Sequence, residues 1–269
     1  MTKIAVVQMH SYEDKHENLK KSVHFIDEAA SKNAELVCFP EFQMAFSPSS
    51  QSASQLAAIA ETINGNFILT LGAAAKKHRI GVIVTIYEKS KKPRHVYDTA
   101  AMISRRGTIT SVYRKLHLYD ALGFKESTKL VPGKSIVKPA KTPVGKVGLL
   151  ICYDLRFPEL SRVLTVKGAD ILVAPSAWVE GEMKEEHWKT MIKARAIENG
   201  SYVIAPDQVG NIYCGKSMVV DPFGVVLLDM GKREGIDVVD IDKTRIQQVR
   251  RSLPLLKNRR IDIYQLSCQ

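Results

Sequence analysis

The 269-residue chain is long enough for one large α/β domain or two small ones. Its 45% hydrophobic and 25% charged content fits a globular protein with a sizeable core and excludes disorder, and no apolar run approaches the roughly 18 residues a membrane span needs. The net charge of +11, from 39 Lys and Arg against 28 Asp and Glu, raises nucleic-acid binding as a class, but the excess is diffuse and no helix-turn-helix, aromatic RNA-binding segment or zinc module accompanies it.

Residues 1–7 run straight into a strand-like segment without the charged and apolar zones of a signal peptide, so a cytoplasmic protein is expected. Cys38, Cys152, Cys214 and Cys268 include no Cys-x-x-Cys pair. That spacing excludes a zinc site, a redox motif and a disulfide framework. Each is expected as a free thiol, and a small buried hydrophobe is the ordinary role for any one of them.

In chain order, residues 4–9 read as a strand, and Leu19, Val23, Ile26 and Ala30 recur at helical spacing. A second apolar run covers 35–40. Leu56, Ile59 and Ile63 mark a helix stopped by Asn64-Gly65-Asn66, and Phe67, Leu71, Ala74 and His78 continue on a new helical face. Residues 81–87, GVIVTIY, have the β-branched look of a buried strand. Strands over 96–103 and 108–114 flank a hairpin turn at Arg105-Arg106-Gly107. The long polar segment 118–134 then interrupts regular structure, and such loops are often functional.

The second half restarts the alternation. Residues 146–152, KVGLLIC, read as a strand, and Pro158 suits the first position of a helix ending near Gly168. A strand over 170–175 and a helix over 184–199 follow, then strands over 202–206, 216–220, 225–228 and 235–241. Pro206 removes a backbone donor, which puts sheet pairing there in doubt. No linker and no short repeat divides the chain, so one α/β domain spanning 1–269 is expected. Residues 243–260 carry seven basic side chains, at 243, 245, 250, 251, 257, 259 and 260, and no acidic ones. They read as a solvated or subunit-facing tail rather than a nucleic-acid arm.

Three strand ends carry reactive side chains. Cys152 ends an apolar strand just before a helix, where N–H dipoles favour a thiolate, in the outline of a nucleophile elbow. Glu41 follows the buried run Leu36-Val37-Cys38-Phe39-Pro40, and Lys115 follows Ser111-Val112-Tyr113-Arg114. In open α/β sheets such ends are where ligands bind. Taken singly, Cys152 reads as packing, Glu41 as an exposed turn carboxylate and Lys115 as one more surface charge.

Together, the segments FPEF, YRKLHLYD and GLLICYDLRFPEL around these residues resemble the nitrilase superfamily of carbon–nitrogen hydrolases. The resemblance runs over essentially the whole chain. It takes in Ala174-Pro175-Ser176-Ala177-Trp178, His187-Trp188, Ala194-Arg195-Ala196-Ile197-Glu198-Asn199, the run 217–224 and Arg259-Arg260. It implies a four-layer αββα sandwich and a Glu41–Lys115–Cys152 triad, with no metal or organic cofactor. In that triad Glu41 moves protons, while Lys115 and the Tyr153 backbone N–H stabilise an oxyanion. It also implies a homodimer or larger assembly, with the 243–269 tail packing on a partner subunit.

Within the loop, Glu126 resembles the second glutamate that the family places near the lysine; a solvated loop glutamate is the alternative. Arg195 and Glu198, three apart on a helix, read as a buried brace. Arg156 could bind a substrate carboxylate or form a structural salt bridge. Phe46 and Trp178 are candidate pocket walls or core. Nitrile-cleaving members typically have Trp-Glu after the cysteine, whereas this chain has Tyr153-Asp154. That departure points to an amidase, and the surroundings resemble the branch of omega-amidases and deaminated-glutathione amidases, which cleave small amides bearing a carboxylate. A nitrile- or carbamoyl-cleaving enzyme, an amide-exchange acyltransferase and, more remotely, a basic nucleic-acid-binding or scaffold protein remain the alternatives.

Overall fold

Strand alternation and two parallel crossovers in each half build the architecture. In the computed structural model, which describes residues 1–263, the elements follow in the order the hydrophobic periodicity predicts. Cys268 lies outside the described residues, as does the end of the basic tail.

The first half comprises β1 (Thr2–Gln8), α1 (Lys15–Ser31), β2 (Leu36–Cys38), α2 (Ala53–Ile59), α3 (Asn66–His78), β3 (Gly81–Lys89), β4 (Val96–Ile103) and β5 (Ile109–Arg114). Asp14 caps α1 by accepting from His16 N, and Ser52 and Gln55 form a reciprocal capping box on α2. The second half comprises β6 (Ala140–Thr142), β7 (Gly145–Leu149), α4 (Pro158–Val166), β8 (Ile171–Val173), α5 (Lys184–Asn199) and β9 (Tyr202–Ala205). A two-residue-stranded hairpin, β10 (Val209–Gly210) and β11 (Tyr213–Cys214), precedes β12 (Met218–Val220) and β13 (Val226–Asp229). Finally β14 (Gly235–Ile241) returns to the first sheet, and α6 (Lys243–Ser252) ends the regular structure.

One six-stranded sheet has the order β14-β1-β2-β3-β4-β5 and the other β13-β12-β9-β8-β7-β6. In the first, β1, β2 and β3 are parallel and the remaining pairs antiparallel. In the second, β7, β8 and β9 are parallel and their outer pairs antiparallel. The two halves thus share one pairing scheme although no short sequence repeat is visible.

Because successive strand residues face opposite ways, Ala5, Val7, Val37, Val82 and Val84 pack with Phe25, Ile26, Phe67 and Leu71 from α1 and α3. Ile4, Val6, Leu36, Cys38 and Ile83 share a second core with the other sheet, α4 and α5. The result is the expected αββα sandwich.

Three local differences have physical causes. The helix containing Leu56 and Ile59 stops there, because Glu61 instead pairs with the end of β3, its N–H donating to Tyr87 O at 3.1 Å. The strand before the nucleophile ends at Leu149, since Cys152 turns out of the sheet with φ 43°. Residues 243–252, expected as the start of a solvated or subunit-facing tail, form a helix. Ile246 and Val249 on its inner face are buried in this chain's own core, and Asp242 caps it.

Candidate active site

Each of the three strand ends is held by backbone hydrogen bonds, and those of Glu41 reach across the sandwich. Glu41 N donates to Ser176 O at 3.2 Å, and Gln208 Nε2 donates to Glu41 O at 2.8 Å, so the second half fixes a residue of the first. Lys115 N donates to Asp98 O at 2.9 Å, and Gly133 N donates to Lys115 O at 2.7 Å, closing the long loop onto the end of β5. A Cβ at position 133 would lie 2.3 Å from Arg114 O, so only glycine permits that approach. Cys152 N donates to Pro175 O at 2.9 Å. Its left-handed backbone is a strained conformation for a residue with a Cβ. Asp154 secures that turn: it is buried, and Ile151 N (2.9 Å) and Tyr113 OH (2.6 Å) both donate to its Oδ2.

These bonds bring the predicted residues together. Lys115 Nζ donates to Glu41 Oε1 at 2.7 Å, and both side chains are 1% exposed. Glu126 is no solvated loop residue: its carboxylate lies 2.9 Å from Lys115 Nζ. Its Oε2 also accepts from Tyr119 N at 2.7 Å. Burial works against the Lys115 ammonium, but Glu126 and then Glu41 outweigh it and hold its pKa well above the ordinary lysine value.

The Cys152 thiol corrects one expectation. Helical dipoles at the strand end were expected to favour the thiolate, yet burial and then the neighbouring Glu41 push the thiol well above its ordinary 9.0. Lys115 and the Ala177 N–H pull the other way and do not prevail. A dipole at a short helix start is worth about 0.3–1 kcal/mol, which desolvation of a buried anion exceeds. The resting group is a neutral thiol beside a carboxylate. Cys38 and Cys214 are also buried free thiols pushed up by burial, but neither reaches the cavity described next.

A cavity of about 560 Å³ opens over Cys152. Phe46, Glu126, Tyr153, Arg156 and Trp178 line it, whereas Glu41 and Lys115 lie beneath that surface. Phe46 packs edge-on against Tyr213 with ring centroids 6.0 Å apart. Tyr153 meets Tyr119 at 4.9 Å. Trp178 serves both of its candidate roles, walling the cavity and packing on Trp188 at 5.2 Å. Arg156 makes no salt bridge among the described residues; its guanidinium stacks 4.6 Å from the Trp178 ring centre. Arg195 pairs with Glu198 at 3.1 Å and donates to Leu155 O at 2.8 Å, bracing the turn after Cys152 from outside the cavity. Among the described residues no group of three or more His, Cys, Asp and Glu side chains is arranged to hold a metal ion.

Sequence reasoning missed Asp98, Tyr119 and Lys184. Asp98 offered a signal, a carboxylate inside the otherwise apolar strand β4. Tyr119 and Lys184 offered none, because their meeting depends on how the long loop folds over α5.

Comparison with known proteins gives the family and the fold. Residues 3–251 match the carbon-nitrogen hydrolase family. The deaminated glutathione amidase of Escherichia coli O157:H7 is 36% identical over 87% of each chain. The crystal structure of the C. elegans NitFhit protein superimposes with a TM-score of 0.90, at 33% identity, over 98% of this chain and 66% of that one. A structure of the amidase from Nesterenkonia sp. AN1, showing Michael addition of acrylamide at its active-site cysteine, superimposes with a TM-score of 0.81. It is 25% identical over 98% of each chain. The chain belongs to the carbon–nitrogen hydrolase family and is a hydrolase acting on carbon–nitrogen bonds.

Proposed function

We propose that the chain hydrolyses a small amide bearing a carboxylate, releasing ammonia and an acid through a thioester on Cys152. The observation that carries this reading is the buried 2.7 Å pair of Lys115 and Glu41 behind the cavity thiol. An amide carbon is a weak electrophile and calls for a strong nucleophile. Glu41 takes the Cys152 proton as sulfur attacks the carbonyl carbon. The oxygen becomes negative and is stabilised by the Lys115 ammonium and the Tyr153 backbone N–H. Glu41 then passes its proton to the departing nitrogen, ammonia leaves, and a thioester remains. Water adds to it with Glu41 again as base, and the carbon–sulfur bond breaks to return the thiol and an acid.

The neutral resting thiol supports this order of events, since a carboxylate beside it can take its proton only as the new bond forms. The cysteine adduct of the Nesterenkonia amidase supports a nucleophilic role for the corresponding thiol. The carboxylate on the substrate is supported by the cavity's charge: Lys125, Lys129, Arg156 and Lys184 line it, against Glu126 alone. The test is ammonia release from a panel of omega-amides, including alpha-ketoglutaramate, beside aliphatic amides and nitriles. Turnover of carboxylate-bearing amides above the others is expected; preference for nitriles would overturn the reading.

A further inference from the structure

Glu126, the acidic side chain of the cavity wall, is already engaged by Lys115. The four cations of that wall therefore have no carboxylate at ion-pairing distance among the described residues. They are not equivalent. Lys129 donates to Ser47 Oγ at 3.2 Å and Pro48 O at 2.9 Å, and the Arg156 guanidinium carbon sits over the Trp178 ring. Lys184 is only 8% exposed, and its ammonium is bonded to the Tyr119 hydroxyl, with Nζ 4.7 Å from the ring centre.

A buried ammonium without an anion is costly to maintain. It has three donors, of which Tyr119 uses one, and a phenol oxygen that accepts a bond keeps its own hydrogen to donate. The position of Lys184 is fixed as well. Its carbonyl accepts from Trp178 Nε1 at 2.8 Å, and its N–H donates to Gly181 O at 3.1 Å. Tyr119 in turn is tied to the reacting groups through its N–H bond to Glu126.

We infer that Lys184 and Tyr119 together form the subsite that reads the substrate's carboxylate, remote from the amide that Cys152 attacks. The inference rests on the amidase reading and adds to it the residues that set specificity. A carboxylate there receives ammonium and phenol hydrogens at once and supplies the anion the buried lysine lacks.

Two substrates of equal length separate this role from a structural one: glutaramate, with a terminal carboxylate, and pentanamide, with a methyl group instead. Lys184→Met is expected to raise KM for glutaramate about 30-fold, the scale of a lost hydrogen bond to a charged group, with little change for pentanamide. Lys184→Gln, which can still hold Tyr119, is expected to fail in the same way. Equal losses on both substrates, or rescue by Lys184→Gln, would overturn the subsite. Calorimetric binding of glutaramate to Cys152→Ala protein reads the subsite without turnover. A loss of affinity of about 30-fold on adding Lys184→Met upholds it; unchanged affinity, or no binding to Cys152→Ala itself, overturns it. Absence of amide turnover by the wild type, with that binding difference intact, would instead sink the amidase reading alone.

Discussion

Lys115 Nζ lies 3.8 Å from Asp98 Oδ2, so three carboxylates, from Glu41, Asp98 and Glu126, surround one buried ammonium. They cannot all be charged at low cost. Burial and then Glu41 push Asp98 well above the usual carboxylate range, and a hydrogen bond to Glu41 adds to the effect. Asp98 is therefore held towards its neutral form, and its Oδ2 has no other hydrogen-bond partner; we propose that it acts as a positioning residue, offering that proton to Glu41. Asp98→Asn supplies an N–H in its place and is expected to keep kcat within about threefold. Asp98→Ala leaves Glu41 short of a partner and is expected to lower kcat about 10- to 100-fold, following a penalty of about 1–3 kcal/mol. Comparing kcat for the two variants, with circular dichroism to confirm the fold, checks the assignment; equal losses would sink it.

The neutral Cys152 thiol gives a prediction with a definite sign. Its pKa is raised from 9.0 by burial and Glu41, so the free enzyme holds no thiolate at neutral pH. The thiolate ultraviolet absorbance of wild type minus Cys152→Ser should show no titration below pH 9.0; a step near neutrality would contradict the burial argument. Linkage runs the same way. Above pH 9.0 the unfolded thiol loses its proton while the folded one keeps it, so wild type loses stability relative to Cys152→Ala as pH rises past that value. Cys152→Ala is expected to abolish turnover with its fold intact.

Much of the architecture was legible in sequence because apolar periodicity reports burial directly. Strands β4 and β14 and helix α5 fall where the patterns end. The triad was less so. Glu41 and Lys115 stand 74 residues apart, and periodicity places each on a strand end without showing that the ends converge. Only the resemblance joined them. Helix α6 was hidden because its basic residues outweigh the spacing of Ile246 and Val249. Lys184 was hidden for a related reason: in the run KEEHWK it reads as part of a solvated face, and its burial comes from Trp178 and a loop far away in sequence.

Glu126 has two jobs that substitution can separate. Its carboxylate lies against Lys115 Nζ and also accepts from Tyr119 N in the loop 118–134. Glu126→Gln keeps an acceptor for the loop but removes a charge beside the ammonium. It is expected to lower kcat about 10-fold with KM nearly unchanged, a loss of about 1.4 kcal/mol in the transition state. Glu126→Ala releases the loop too, so KM should rise alongside the fall in kcat. Steady-state kinetics on one omega-amide distinguishes the two patterns, and a KM rise in Glu126→Gln would contradict the separation.

Arg250 tests whether the basic C-terminal segment belongs to this subunit's own fold. Its Nε donates to Gly200 O at 2.9 Å, and its Nη2 to Ala169 O at 2.8 Å and Ser201 Oγ at 2.9 Å. A weaker contact to Asp170 lies at 3.5 Å. These bonds tie α6 to the end of α5 and the turn before β8. Burial lowers the guanidinium pKa somewhat, yet arginine remains charged at any accessible pH. Arg250→Ala removes all three donors and is expected to cost about 2–3 kcal/mol in urea unfolding. Arg250→Lys cannot reproduce the planar fork and should recover only part of that loss. Lys257→Ala, at an exposed position, should change stability by less than about 0.5 kcal/mol. If Arg250→Ala is as mild as Lys257→Ala, α6 contributes little to the subunit, and the basic segment must owe its place to something outside it.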